Sequence, residues 1–165
     1  MNYNEDIRYL RFATLLARKS RDPSTQNGAI IVKNKEIIGK GVNNFPLGVR
    51  EDLKIRWERP TKYSFIEHAE RNAIYYSARY GHSTEGGVLY CPWFACADCA
   101  RAIIQAGIER CVGLENDTNL TNQRWLDSIL IGNEMLSEAG VQYYNITLTK
   151  KFGIKLLRDG KEIEV

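Results

Sequence analysis

The sequence predicts an α/β protein: one three-layer α/β/α domain with a mixed central sheet of about five strands. Two observations carry this. Segments with apolar residues at helical spacing alternate with short apolar runs, in the order α-ββ-α-β-α-β-α-β, which puts helices on the faces of a mixed sheet. The length of 165 residues is that of one domain with room for one proper core, so residues 1–165 are read as a single unit.

The elements follow in order. Asn4 can cap a first helix running to about Ser20, with Ile7, Leu10, Thr14 and Ala17 on one face. The stretch DPSTQNG breaks it, because Pro, Asn and Gly favour turns. GAIIVKNKEIIGKGV then reads as a β-hairpin turning near Asn34. Residues 43–64 are polar, irregular and rich in Arg, and a helix is expected from about Ile66 to Arg79. GGVLYC reads as a short buried strand, and CADCARAIIQAG as a helix closing at Gly107, a C′ glycine. IERCVGL is the next strand. An amphipathic helix spans about Asn122 to Ala139, and VQYYNITL is a final strand. The tail KKFGIKLLRDGKEIEV is ambiguous.

Composition narrows the function. Hydrophobic residues make up 44% and charged ones 26%, the balance of an ordinary soluble protein. No apolar run reaches the roughly 18 residues of a membrane span, and the charged start MNYNEDIRYLRF has no signal-peptide core. A cytoplasmic location and no membrane partner are expected. A net charge of +3 is too small a basic footprint to indicate nucleic acid. Four cysteines in a reducing compartment point to metal ligands, catalytic groups or buried apolar residues rather than a disulfide framework.

Cys96 and Cys99 stand three apart at the start of a helix, so both thiols share one face of its first turn. The positive helix N-terminus favours thiolates. His68 lies near another helix start. One nitrogen and two sulfurs make three zinc ligands, and an open fourth position is the mark of a catalytic rather than a structural site. Glu70, two residues from His68, is placed to carry protons beside a metal-activated water.

The set H68-A-E70 followed by C96-A-D-C99 resembles the zinc-dependent cytidine/deoxycytidylate deaminase superfamily. The segments G41-V-N43-N-F-P46-L-G48, R56-W-E-R-P60-T-K-Y63 and E-H-A-E-R-N-A-I resemble its deoxycytidylate branch. Similarity is good from about Ser20 to Gly113 and weak over the last 50 residues. One departure is Ala95, where the family has Pro before the first Cys. The resemblance implies a cytidine-deaminase-like fold and one Zn2+ per chain, held by His68, Cys96 and Cys99. It also implies Glu70 as proton shuttle and hydrolysis of dCMP to dUMP and ammonia, which feeds thymidylate synthesis. Asn43 and the backbone at Ala69 would orient the nucleoside, and Arg59 and Lys62 are the first choices for the 5′-phosphate. A homo-oligomer, hexamer or smaller, and dCTP/dTTP effectors are further implications. Against the effectors, Asn44 replaces the second glycine of the G-x-N-G segment.

Plainer readings stand beside these. Cys91 as a fourth ligand would give a closed, structural Cys3His site. Cys91 and Cys111 otherwise read as core residues. His82 reads as a surface-loop residue. The mixed charges of residues 50–62 also suit a solvated loop. Trp57, Trp93 and Phe94 flank the site in sequence, where one can stack on a base or simply pack. The same chemistry on another cytosine or guanine nucleoside or base is the alternative activity, and a non-catalytic zinc-stabilised nucleotide-binding protein is the third reading.

Overall fold

The computed structural model describes residues 3–93, 95–115 and 123–165. Phe94 and Asn122, both singled out in the sequence, lie outside the described residues.

Helix α1 (Tyr3–Ala17) precedes a hairpin of β1 (Gly28–Lys33) and β2 (Glu36–Val42). Asn34 and Lys35 both have positive φ, 52° and 66°, the requirement of a tight hairpin turn that matches strand twist. After the loop come a 3-10 turn (Lys54–Trp57), the single-turn helix α2 (Lys62–Phe65) and α3 (Ala69–Arg79). Strand β3 (Val88–Tyr90), α4 (Ala97–Gln105), β4 (Arg110–Leu114), α5 (Gln123–Glu138) and β5 (Gln142–Ile146) complete the sheet. Its order is β2-β1-β3-β4-β5. β1 runs antiparallel to β2 and β3, while β3, β4 and β5 are mutually parallel. The five-stranded mixed sheet is the one expected.

Alternation along the strands divides the apolar residues between two faces. Ile30, Val32, Tyr90, Val112 and Leu114 meet Leu10, Ala13 and Ala17 of α1. Ala29, Ile31, Leu89 and Cys111 meet Ala69 and Ala73 of α3, Ala100 and Ile103 of α4, and Leu136 of α5. The ambiguous tail resolves into a separate hairpin, β6 (Lys155–Arg158) and β7 (Lys161–Glu164), that shares the α1 face through Leu156 and Val165. One outer layer is therefore part helix, part hairpin.

The expected helix from Ile66 starts later. Ile66 and His68 have extended backbone, with ψ of 134° and 154°. Between them Glu67 forms an isolated antiparallel bridge with Asn44, with N–H···O contacts of 2.8 and 3.1 Å. That bridge draws the chain out of helix until Ala69. It also ties the segment after β2 to the start of α3. Gly41 permits the closest approach there, since a Cβ would collide with the Ala69 carbonyl and lie 2.5 Å from the Ala73 nitrogen.

Candidate metal centre and active site

Three strand ends meet at one end of the sheet. Because β1 is antiparallel to both neighbours, its start at Asn27 lies beside the ends of β2 (Asn43) and β3 (Cys91). Asn43 N–H donates to Asn27 O at 3.2 Å. The loops leaving these ends lead to α3 and α4, the usual location of a site in an open α/β sheet.

Two helix N-caps supply metal donors. His68 caps α3 and Cys96 caps α4, and neither makes a side-chain capping bond. Their side chains are turned to each other. His68 Nδ1 lies 3.5 Å from Cys96 Sγ and 3.4 Å from Cys99 Sγ, and the two sulfurs are 3.7 Å apart. For bonds of about 2.0–2.3 Å, a tetrahedral zinc needs donor separations of about 3.5–3.8 Å. The cluster therefore fits zinc as it stands. His68, Cys96 and Cys99 are the one such group among the described residues. Cys91 is not in it. Its sulfur receives Asn27 Nδ2 at 3.2 Å and sits in the α3–α5 core, so the closed four-ligand reading has no support. Cys111 is likewise core and His82 is exposed.

The thiols are electrostatically unequal. A hydrogen bond from Cys99, with help from His68, brings Cys96 down to about 4. The same contact and burial push Cys99 well up. Burial pulls His68 down, but the Cys96 sulfur and Glu70 more than offset it and the net shift is upward. A cation that takes all three donors needs both sulfurs as thiolates and the ring nitrogen free, so its binding would release protons from this cluster.

Glu70, in the first turn of α3, is 2% exposed. Burial raises its carboxyl to about 7, against an opposing pull from His68. Its Oε2 is buried without a hydrogen-bond partner. A buried carboxylate oxygen with no partner is costly, and its retention points to a ligand or water that completes it. Arg71 follows it and pairs with Glu67, and it lies 3.7 Å from Asp98 of α4. Glu67 Oε1 also accepts the His68 N–H at 2.9 Å, so this ion-pair chain links the two ligand-bearing helix starts.

The other predicted residues have these positions. Ala69 is fully buried at the head of α3, whose first N–H groups have no intrahelical acceptors. Asn43 is tied within the chain: Nδ2 donates to Thr25 O at 2.6 Å and Asp22 Oδ2 at 3.0 Å, and Oδ1 accepts Asn27 N–H at 2.6 Å. Lys62 is 4% exposed and paired with Asp22. Arg59 reaches Ser24 Oγ at 2.7 Å and Asp159 at 2.9 Å. Trp57 stacks on Phe45 at 4.3 Å, and Trp93 donates to Gln26 O and carries the Arg158 guanidinium on its face.

The sequence reading passed over two contributors. Trp125 of α5 stands edge-on to His68, with ring centroids 5.9 Å apart, and Tyr63 is next to it at 5.7 Å. Ser128 Oγ accepts the Ala97 N–H at the start of α4. The signal was the i, i+3, i+7 stripe of Trp125, Ser128 and Gly132 on the amphipathic helix.

A three-donor zinc centre with a buried carboxylate beside it, at the open end of an α/β sheet, defines a metal-dependent hydrolytic site. Residues 3–115 match the family described as the cytidine and deoxycytidylate deaminase zinc-binding region, and the chain belongs to that family. An uncharacterized deaminase from the luxG 3′ region of Aliivibrio fischeri is 37% identical over 135 residues, covering 82% of this chain and 88% of that one. The deoxycytidylate deaminase of Mus musculus is 39% identical over 111 residues, 63% of this chain and 61% of the mouse enzyme. The crystal structure of dCMP deaminase from cyanophage S-TIM5 in complex with dCMP and dUMP superposes with a TM-score of 0.70 at 26% identity, over 88% of this chain and 99% of that one.

Proposed function

We propose that this chain is a zinc-dependent deaminase that hydrolyses dCMP to dUMP and ammonia. The observation that carries the reading is the tetrahedral spacing of His68, Cys96 and Cys99 beside the buried, unpartnered Glu70 carboxylate. Deoxycytidylate deaminases among its relatives, and the cyanophage enzyme holding dCMP and dUMP, support the choice of substrate.

Zinc held by these three donors supplies a Lewis acid that brings a water to about pKa 7. Glu70 does the proton work. Burial pushes its carboxyl up to about 7, which suits it to both taking and giving a proton. It takes one proton of the attacking water and passes it to ring N3, then takes the proton of the new C4 hydroxyl and gives it to the amino nitrogen, so that the C4–N bond breaks as C4=O forms and ammonia departs. The first N–H groups of α3, at Ala69, face the base, and Asn43 Oδ1 retains a lone pair for the deoxyribose.

The 5′-phosphate falls to the Arg-rich loop. Arg59 is the better placed of the two first choices, because its side chain is 37% exposed while that of Lys62 is 5% exposed. Lys62 acts through Asp22 to hold Asn43. Control by dCTP and dTTP, a homo-oligomer and a cytoplasmic location belong to the same proposal. Among the described residues no helix is long and apolar enough to cross a membrane.

The test is loss of cytosine absorbance on mixing zinc-loaded protein with dCMP, with deoxycytidine and Glu70→Gln protein in parallel. Turnover of dCMP that Glu70→Gln abolishes supports the reading. No turnover of dCMP, with or without dCTP, would sink the substrate assignment.

A further inference from the structure

The tip of the hairpin β6–β7 closes on the loops that flank the site. Asp159 and Gly160 both have positive φ, 51° and 81°, which makes the tip a tight turn. Backbone groups dock this turn on the loop before β1. Gly160 N–H donates to Ser24 O and Gln26 N–H to Leu157 O, each at 2.8 Å, and Asp159 N–H donates to Thr25 Oγ1 at 3.0 Å. Arg158 lays its guanidinium on the face of Trp93 at 4.4 Å. The same loop holds Asn43, through Thr25 O and Asp22. These contacts seat the turn without the Asp159 carboxylate. That carboxylate pairs with Arg59, the cation read above as the 5′-phosphate ligand.

The pair occupies the part of the guanidinium that an oxyanion needs. Arg59 Nη2 donates to Asp159 Oδ1 at 2.9 Å and to Ser24 Oγ at 2.7 Å. Both bidentate forks of an arginine, Nε with Nη2 and Nη1 with Nη2, include this nitrogen. A phosphate gripped by either fork therefore meets a carboxylate of its own charge sign. The Ser24 hydroxyl can turn and donate to the newcomer, whereas an ionised carboxylate only accepts. We propose that Asp159 is a stand-in for the nucleotide's 5′-phosphate: it holds Arg59 until substrate arrives, is then displaced, and makes binding depend on the charge of the 5′ group. The inference rests on the reading of Arg59 as the phosphate ligand. The two side chains are 37% and 33% exposed, and a pair so open to water is weak enough for a dianion to displace. Deoxycytidine brings nothing to exchange for the carboxylate.

Asp159→Asn tests this cleanly, because Asn tolerates positive φ and keeps the shape while losing the charge. Asp159→Gly, suited to the same φ, is the second variant if the first fails to fold. In zinc-loaded enzyme, Asp159→Asn is expected to lower KM for dCMP about two- to fivefold, the worth of one exposed ion pair, with little change in kcat. The inhibition constant of inorganic phosphate should fall by the same factor, and no such fall in KM should occur with deoxycytidine. Arg59→Ala should raise KM for dCMP and erase the effect of Asp159→Asn in the double variant. If Arg59→Ala raises KM but Asp159→Asn fails to lower it, the stand-in is overturned and the phosphate ligand survives. An unchanged KM in Arg59→Ala overturns both. If wild-type protein leaves dCMP untouched, the substrate reading fails, and calorimetric titration with inorganic phosphate decides. Tighter binding by Asp159→Asn than by wild type then supports the proposal, and equal, weaker or no binding overturns it.

Discussion

The Lys62 ammonium lies 2.6 Å from the Asp22 carboxylate in a pair whose side chains are 5% and 2% exposed. Asp22 also accepts the Ser24 and Thr25 N–H groups and Asn43 Nδ2, so one buried carboxylate organises the loop before β1, the end of β2 and the approach to α3. Removing one member of a buried pair leaves an uncompensated charge, at about 3–5 kcal/mol. Lys62→Met should cost that much in urea unfolding, and Asp22→Asn/Lys62→Met should recover part of it. A loss below 1 kcal/mol would show that water reaches the pair.

Glu70 is predicted to be dispensable for metal and essential for turnover. Its carboxylate is outside the three-donor cluster, and proton transfer of this kind contributes about 10²–10⁴-fold to rate. Glu70→Gln keeps the shape and removes the proton carrier. Zinc per chain should stay at one while kcat on dCMP falls by about that factor. A variant that loses its zinc would instead place Glu70 among the ligands.

Much of this was legible in the sequence, for specific reasons. The helix and strand order was visible because each element has its own apolar period and its own Gly or Pro stop. His68, Cys96 and Cys99 were visible because metal chemistry restricts both residue type and spacing. Lys62 and Arg59 were harder. A cation in an Arg-rich loop looks free in one dimension, and its partners, Asp22 and Asp159, lie far away in sequence. The tail was ambiguous because its apolar residues bury against α1's face of the sheet, a contact that no local pattern reports. Trp125 was missed because a lone aromatic on an amphipathic helix reads as core.

The network around Asp6 predicts a pH effect. Asp6 of α1 is 1% exposed and receives Tyr90 Oη at 2.7 Å, Tyr144 Oη at 2.5 Å and Arg110 Nη1 at 3.2 Å, which latches the helix to three strands. Burial, reinforced by the Asp6 carboxylate, raises Tyr144 to about 12. The folded chain therefore holds this proton between about 10 and 12, where the unfolded chain has released it. Stability from this group is complete below about 10 and is lost as pH rises toward 12. Tyr144→Phe should be less steeply destabilised than wild type across that window in chemical denaturation. Parallel slopes would mean that Tyr144 ionises normally.

Zinc stoichiometry separates the two cysteine roles. Cys99 lies 3.4 Å from His68 Nδ1 and 3.7 Å from Cys96 Sγ, whereas Cys91 Sγ is paired with Asn27 across the core. Cys99→Ser should therefore lower bound zinc and abolish dCMP turnover. Cys91→Ala should retain one zinc per chain and lose stability modestly, as a small buried group is removed. Because zinc binds the folded chain, stripping it with a chelator should lower the melting temperature. At free zinc about 1,000-fold above Kd the linkage is worth about 4 kcal/mol. That stabilisation should be present in wild type and Cys91→Ala and absent from Cys99→Ser. Zinc loss in Cys91→Ala would revive the closed, four-ligand centre and remove the open position on which hydrolysis depends.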